Sequence, residues 1–145
     1  KLDMEKIIIQ SKINYSILRL FNVYGNRNFQ GVIAIFKKNI SENNSLIIFG
    51  DGKAIRDFIH VSDVVESIIL SIDSKSGIYN IASGTGTSIN DLANLLLQLS
   101  SKNSEIIYQP ARKGEILYSV ADISKSQNEL KFNPKISLNI GLKTL

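Results

Sequence analysis

Apolar residues along this chain gather either in short runs of strand length or at helical spacing, and the two kinds of segment alternate. Residues 1–12 set Leu2, Ile8 and Ile9 among Asp3, Glu5 and Lys6, and read as the tail of a helix with no capping residue ahead of Lys1. Residues 16–21 form an apolar run stopped by Asn22 and Gly25, which predicts a strand. Val32, Ile33, Phe36 and Ile40 fall at helical spacing. Residues 46–49 predict a second strand, closed by the turn Gly50-Asp51-Gly52, and residues 50–58 read as a polar loop. The clearest helical pattern is Val61, Val64, Val65, Ile68, Ile69 and Ile72, with Ser62 able to cap it and the apolar stripe expected to face a core.

Residues 77–82 predict a strand leading into Ser83-Gly84-Thr85-Gly86. A further helix begins at Ser88, with Asp91 three residues on as a capping-box variant and Ile89, Leu92, Ala93, Leu96 and Leu99 on one face. Residues 105–108 are strand-like, and Asp122 is placed to cap a short helix through Leu130 that Pro134 stops. Strands alternating with helices predict an α/β fold, and without repeats or low-complexity linkers residues 1–145 read as one unit.

Composition narrows the chemistry. No cysteine and one histidine, His60, leave neither a disulfide framework nor a metal cluster of several imidazoles, so no metal site is expected. No apolar run approaches a membrane span of about 20 residues and no signal-peptide pattern opens the chain, so a cytoplasmic address without membrane contact is the default. The net charge of +4 comes from scattered lysines and arginines, with only short pairs such as Lys37-Lys38 and Arg112-Lys113. No basic stripe interleaves with aromatics, which argues against a nucleic-acid partner.

Gly84-Thr85-Gly86 lies between a strand and a helix, where a dinucleotide loop would lie. The third glycine of the fingerprint would have to be residue 89, which is Ile, so the stretch reads as a tight turn. Arg56 and Arg112 each stand in polar segments, and a guanidinium fork suits phosphate oxygens because it offers paired donors at fixed geometry. His60, between Ile59 and Val61, reads as satisfying a local hydrogen bond.

Several motifs then fall in order: Leu18-Arg19-Leu20-Phe21-Asn22-Val23-Tyr24-Gly25, Phe49-Gly50-Asp51-Gly52 followed by Arg56-Asp57-Phe58-Ile59-His60-Val61, Tyr79-Asn80-Ile81, Pro110-x-Arg112-x-Gly114-Glu115, and Ala121-Asp122-x-Ser124-Lys125. Together they resemble the extended short-chain dehydrogenases of the NAD-dependent epimerase/dehydratase family, typified by UDP-glucose 4-epimerase, over nearly the whole chain. The resemblance implies the C-terminal part of an extended Rossmann-type fold, with the N-terminal cofactor-binding half missing. It makes residues 1–25 the tail of the cofactor-binding fold and residues 26–145 mostly substrate-binding.

It also implies roles. Lys1 matches the lysine of a Tyr-x-x-x-Lys pair, which binds the nicotinamide ribose of NAD and lowers the tyrosine's pKa; the tyrosine would lie four residues earlier. Lys1 is thus the one catalytic candidate and, with Leu20 beside the nicotinamide, a cofactor contact. Asn22 matches a contact to the nucleotide-sugar, Arg56 and Arg112 the two arginines on its diphosphate, and Glu115 an acidic residue near the nucleotide ribose. The chain departs from the family at Asn26, where proline is usual, and at Ser62, where aspartate is common. The implied reaction is NAD-dependent 4-epimerisation of a UDP-hexose, carried out by a protein that is a homodimer when intact. A 4,6-dehydratase, decarboxylase or reductase on a nucleoside-diphosphate sugar is the alternative within the family. A non-catalytic nucleotide-sugar-binding module is the alternative outside it.

Overall fold

The computed structural model describes residues 1–145 and is α/β, as the alternation predicts. Its helices are α1 (Leu2–Gln10), α2 (Gly31–Ser41), α3 (Val61–Ser71), α4 (Ile89–Ser100), α5 (Ser124–Leu130) and α6 (Leu138–Lys143). Its strands are β1 (Ser16–Leu20), β2 (Asn22–Tyr24), β3 (Leu46–Phe49), β4 (Ile55–His60), β5 (Gly77–Ile81), β6 (Gly86–Ser88), β7 (Ile106–Gln109) and β8 (Tyr118–Ser119). They form three small sheets. β1 pairs in parallel with β5, from Ser16 opposite Gly77 to Leu20 opposite Ile81. β3 pairs in parallel with β7. In the third sheet β4 is central, parallel to β2 and β8 and antiparallel to β6.

β4 corrects the sequence reading. Residues 55–58, expected in a polar loop, are part of a strand, and Asp57 through His60 are all buried. Successive side chains on a strand point to opposite faces, and here both faces are covered. Phe58 joins a core with Phe36, Leu46, Ile48 and Leu92 between α2, α4 and β3. Ile59 joins a second core with Val64, Tyr79, Ile81 and Phe132. A strand buried on both sides loses the apolar–polar alternation that would have betrayed it.

α2 and α4 follow their patterns, with Ile33, Phe36 and Ile40 inward on the first and Leu92, Ala93 and Leu96 on the second. Ser88 caps α4, its Oγ accepting from the Asp91 amide at 3.0 Å and donating to the Asp91 carboxylate at 2.6 Å. α3 does not follow its pattern. Of the six apolar residues expected to face a core, only Val64 is buried, beside Asp63 and Ser67. Val61, Val65, Ile68, Ile69 and Ile72 form an exposed stripe that reaches 72% exposure at Ile72. The helix turns its polar side inward because the Asp63 carboxylate accepts the amides of Lys135 at 3.0 Å and Ile136 at 3.2 Å.

Caps and stops differ too. The His60 ring caps α3, its Nδ1 accepting the Ser62 amide at 3.2 Å, so the local bond expected of His60 exists and Ser62 is its donor. Asp122 stands one residue outside the α5 N-cap, accepting from the Ser124 amide. α5 ends in the left-handed Lys131, ahead of Pro134.

Tyr24 packs edge-on against His60, ring centroids 5.3 Å apart, and its hydroxyl is buried without a hydrogen-bond partner. Burial, then the nearby Asp63 carboxylate, pushes the Tyr24 pKa up to about 12. The folded protein therefore keeps this proton where the unfolded chain, near pH 10, has lost it. The contribution is complete below pH 10 and lost as pH rises through 12. Urea unfolding at stepped pH should show stability falling by roughly 2–3 kcal/mol across that interval because of this group. Tyr24→Phe should remove that part of the decline; equal slopes for the two proteins would contradict the assignment.

Candidate functional site

The expected ligand residues meet where β4 begins. Arg56 lies on the strand, its Nη1 donating to the Ile55 carbonyl at 2.9 Å and its Nη2 standing 3.6 Å from the Glu115 carboxylate. Arg112, in the loop after β7, lays its guanidinium 3.8 Å over the Phe49 ring at the end of β3. The Glu115 amide donates to the Arg112 carbonyl, which folds this loop into a turn. A Cβ on Gly50 would stand 3.9 Å from Glu115 Oε2, so the loop lies close over the end of β3. Two guanidinium groups and one carboxylate thus share one end of the sheets, with positive charge in excess. Stacking on Phe49 fixes the plane of Arg112 and leaves its edge donors free.

Asn22 is tied to the same strand from the neighbouring one. It lies opposite Phe58, and its Nδ2 donates to the Asp57 carbonyl at 2.8 Å. It also lines a cavity of about 910 Å³ with Tyr24, Gly25, Phe29, Lys37 and Phe58. Neither arginine lines that cavity; Asn22 reaches from it to the strand that carries Arg56.

Lys1 and Leu20 lie apart from this group, on the β1 side. Glu5 accepts from Arg19 Nε at 2.9 Å and Nη2 at 2.5 Å, which pins the first turn of α1 to the end of β1. The same pair holds the Glu5 carboxyl below its usual range and the Arg19 guanidinium above its own, through the hydrogen bond first. Lys1 begins that turn, its carbonyl accepting the Glu5 amide at 3.1 Å. Leu20 ends the strand next to Arg19 with 47% of its surface exposed, at the carboxyl end of a parallel pair. Open α/β sheets take their ligands at that end.

Three supports were not anticipated. Phe49 beneath Arg112 is one; its only sequence signal is an aromatic ending a strand ahead of a glycine turn. Asn90 is the second. Its amide donates to the Gly52 carbonyl and its Nδ2 to the Asp51 carbonyl, both at 3.0 Å, and its Oδ1 accepts from the Tyr108 hydroxyl at 3.1 Å. Within the turn it grips, the Lys53 amide donates to the Asp51 carboxylate and holds its pKa down.

The third is Asp57, wholly buried. Its Oδ1 accepts the Ser83 amide at 2.8 Å and the Ser83 hydroxyl at 2.6 Å. Its Oδ2 accepts the amides of Gly84 at 2.9 Å and Ala121 at 3.3 Å. Its sequence signal is slight, an acid beside Arg56 in a stretch that reads as a polar loop. These bonds also explain why Gly84-Thr85-Gly86 is no dinucleotide loop: two amides of its turn already serve an internal carboxylate, and the chain continues into β6 before any helix.

Known proteins share this fold. A family model described as the NAD dependent epimerase/dehydratase family matches residues 2–82. A Methanocaldococcus jannaschii protein provisionally named UDP-glucose 4-epimerase is 39% identical over 90% of this chain and 44% of its own length. A UDP-N-acetyl-alpha-D-glucosaminuronate decarboxylase of Bacillus cytotoxicus is 35% identical over 88% of this chain and 44% of its own. The crystal structure of UDP-glucose 4-epimerase with UDP-glucose from Thermotoga maritima superimposes with a TM-score of 0.91 at 35% identity, over 99% of this chain and 48% of that one. The chain therefore spans about half the length of the relatives it matches.

The turn gripped by Asn90 gives a test of how the site is held. Gly52 has φ +73°, and a Cβ there would fall 1.9 Å from Asn90 Oδ1. Gly52→Ala should cost at least about 1–2 kcal/mol for the left-handed backbone alone, read by urea denaturation. A variant as stable as the parent would mean that the turn does not need this glycine.

Proposed function

The chain belongs to the NAD dependent epimerase/dehydratase family, and we propose that it forms the nucleotide-sugar-binding part of an enzyme that epimerises a UDP-hexose at C4. The observation that carries this is the gathering of Arg56, Arg112 and Glu115 at one end of the sheets, within a chain 39% identical to a protein named for that activity. Guanidinium forks take diphosphate oxygens in pairs. Arg56 and Arg112 would grip the diphosphate, Asn22 would donate to the nucleotide-sugar from beside the cavity, and Glu115 would orient Arg56 and face the nucleotide ribose.

On the β1 side, Lys1 would hold the nicotinamide ribose of NAD and Leu20 would line the nicotinamide. An exposed aliphatic side chain at the carboxyl end of a parallel strand, with an ammonium on the adjoining helix turn, is chemistry that fits a nicotinamide riboside. When bound, NAD supplies an acceptor for the C4 hydride and returns it to the other face. The lysine would stabilise the phenolate of a tyrosine four residues before it, which takes the sugar hydroxyl's proton. In this reading residues 1–25 belong with the cofactor-binding fold, and the intact enzyme is a cytoplasmic homodimer. No helix here is long and apolar enough to cross a membrane.

A decarboxylase of a UDP-uronic acid is the second reading, favoured by the 35% identical Bacillus cytotoxicus relative. Giving UDP-glucose and UDP-glucuronate to the same enzyme separates the two, since carbon dioxide is released only in a decarboxylation.

Arg112→Lys replaces a planar fork with a point charge. It should weaken UDP-glucose binding by about 1–3 kcal/mol in a calorimetric titration; unchanged affinity would remove Arg112 from the site. The 145-residue chain alone should not interconvert UDP-glucose and UDP-galactose when supplied with NAD. None of its tyrosines, at 15, 24, 79, 108 and 118, is followed four residues later by lysine. No segment here carries the glycine fingerprint that brings a helix N-terminus to a pyrophosphate. Turnover above background from protein of confirmed mass would overturn this assignment of the catalytic groups.

A further inference from the structure

We propose that Asp57 is a positioning residue for the nucleoside diphosphate, acting through Asn22 and Arg56 on either side of it. The inference rests on the reading of those two residues as ligand contacts. Taking a carboxylate fully out of water is costly, and such a group persists where donors surround it. At Asp57 they come from two segments distant in sequence: the Ser83-Gly84 turn after β5, and Ala121 after β8. Every partner is an N–H or O–H donor, so the site calls for an acceptor at both oxygens. An amide in its place would turn an NH2 group against a donor.

The strand that the carboxylate holds is what the ligand side chains lean on. The Asp57 carbonyl accepts the Asn22 side-chain amide at 2.8 Å. Arg56 precedes it on β4 and reaches the Glu115 carboxylate. Residues 55 and 56 pair with β8 on one edge and with β6 on the other, while Asn22 lies opposite Phe58 further along. The carboxylate therefore fixes the stretch of β4 on which both are anchored, Asn22 at the Asp57 carbonyl and Arg56 at the Ile55 carbonyl two residues before it. A displacement of even an ångström at such a point costs affinity, because donor forks must meet phosphate oxygens at set distances.

The test uses the 145-residue chain with UDP as the probe. Ser83→Ala removes the 2.6 Å hydroxyl bond to Asp57 and leaves the amide bonds. It should fold, weaken UDP binding by about three- to tenfold, as loss of a charge-assisted hydrogen bond does, and move the Asn22 side-chain amide signals in a ¹⁵N correlation spectrum. Asp57→Asn should weaken binding further; if it fails to fold, Ser83→Ala decides. A folded Ser83→Ala protein with parental UDP affinity and unmoved Asn22 signals overturns the proposal, since a carboxylate serving stability alone would lower only the melting temperature. Arg56→Ala is the control. If it too binds UDP as the parent does, the reading of the ligand site has failed, and the Asn22 signals alone then judge whether Asp57 positions its neighbours.

Discussion

A single carboxylate joins parts of this molecule that would otherwise be separate. β4 runs between two apolar cores, sending Phe58 into one and Ile59 into the other. The residue before them can serve neither core, because it sits where the β5 turn and the segment after β8 converge. Asp57 answers that geometry with oxygens in place of methyls, taking three amides and a hydroxyl from those segments. Small sheets of two strands are marginal when isolated. Here the β1–β5 pair is bound to the β4 sheet through this junction as well as through Ile59 and Ile81.

The same logic explains what the sequence made legible. α4 was readable to its cap, because Ser88, Asp91 and the leucine spacing all report one amphipathic helix with one covered face. β3 was readable because turn residues bound a short apolar run. β4 was not, since a strand covered on both sides and carrying a buried acid presents neither alternation nor a pure apolar run. α3 was readable as a helix and misread in orientation. Its aliphatic spacing is the stronger periodic signal, and the bonds from Asp63 to Lys135 and Ile136, which decide the orientation, link residues far apart in sequence.

The sequence named candidate residues by type, and it did not show their pairings. Nothing local marks Glu115 as the partner of Arg56, or Phe49 as the platform of Arg112, since each pair joins segments that meet only after β3, β4 and β7 are assembled. The motif order identified the family nonetheless, because glycine turns, strand ends and arginines recur together only when the same assembly recurs. Arg56 shows the limit of local reading best. A loop arginine would be free to search for an anion, whereas a strand arginine held by the Ile55 carbonyl and by Glu115 presents a fixed face.

The aliphatic stripe of α3 is the largest run of apolar side chains that any helix here turns outward. Val65, Ile68, Ile69 and Ile72 lie on one side of a helix whose other side is fully engaged, so no rotation of the helix can hide them. Alongside runs β1, paired in parallel with β5. An oily ridge beside a strand is a surface that further protein can cover. Because apolar association strengthens on warming, whatever covers this ridge is held more tightly as temperature rises.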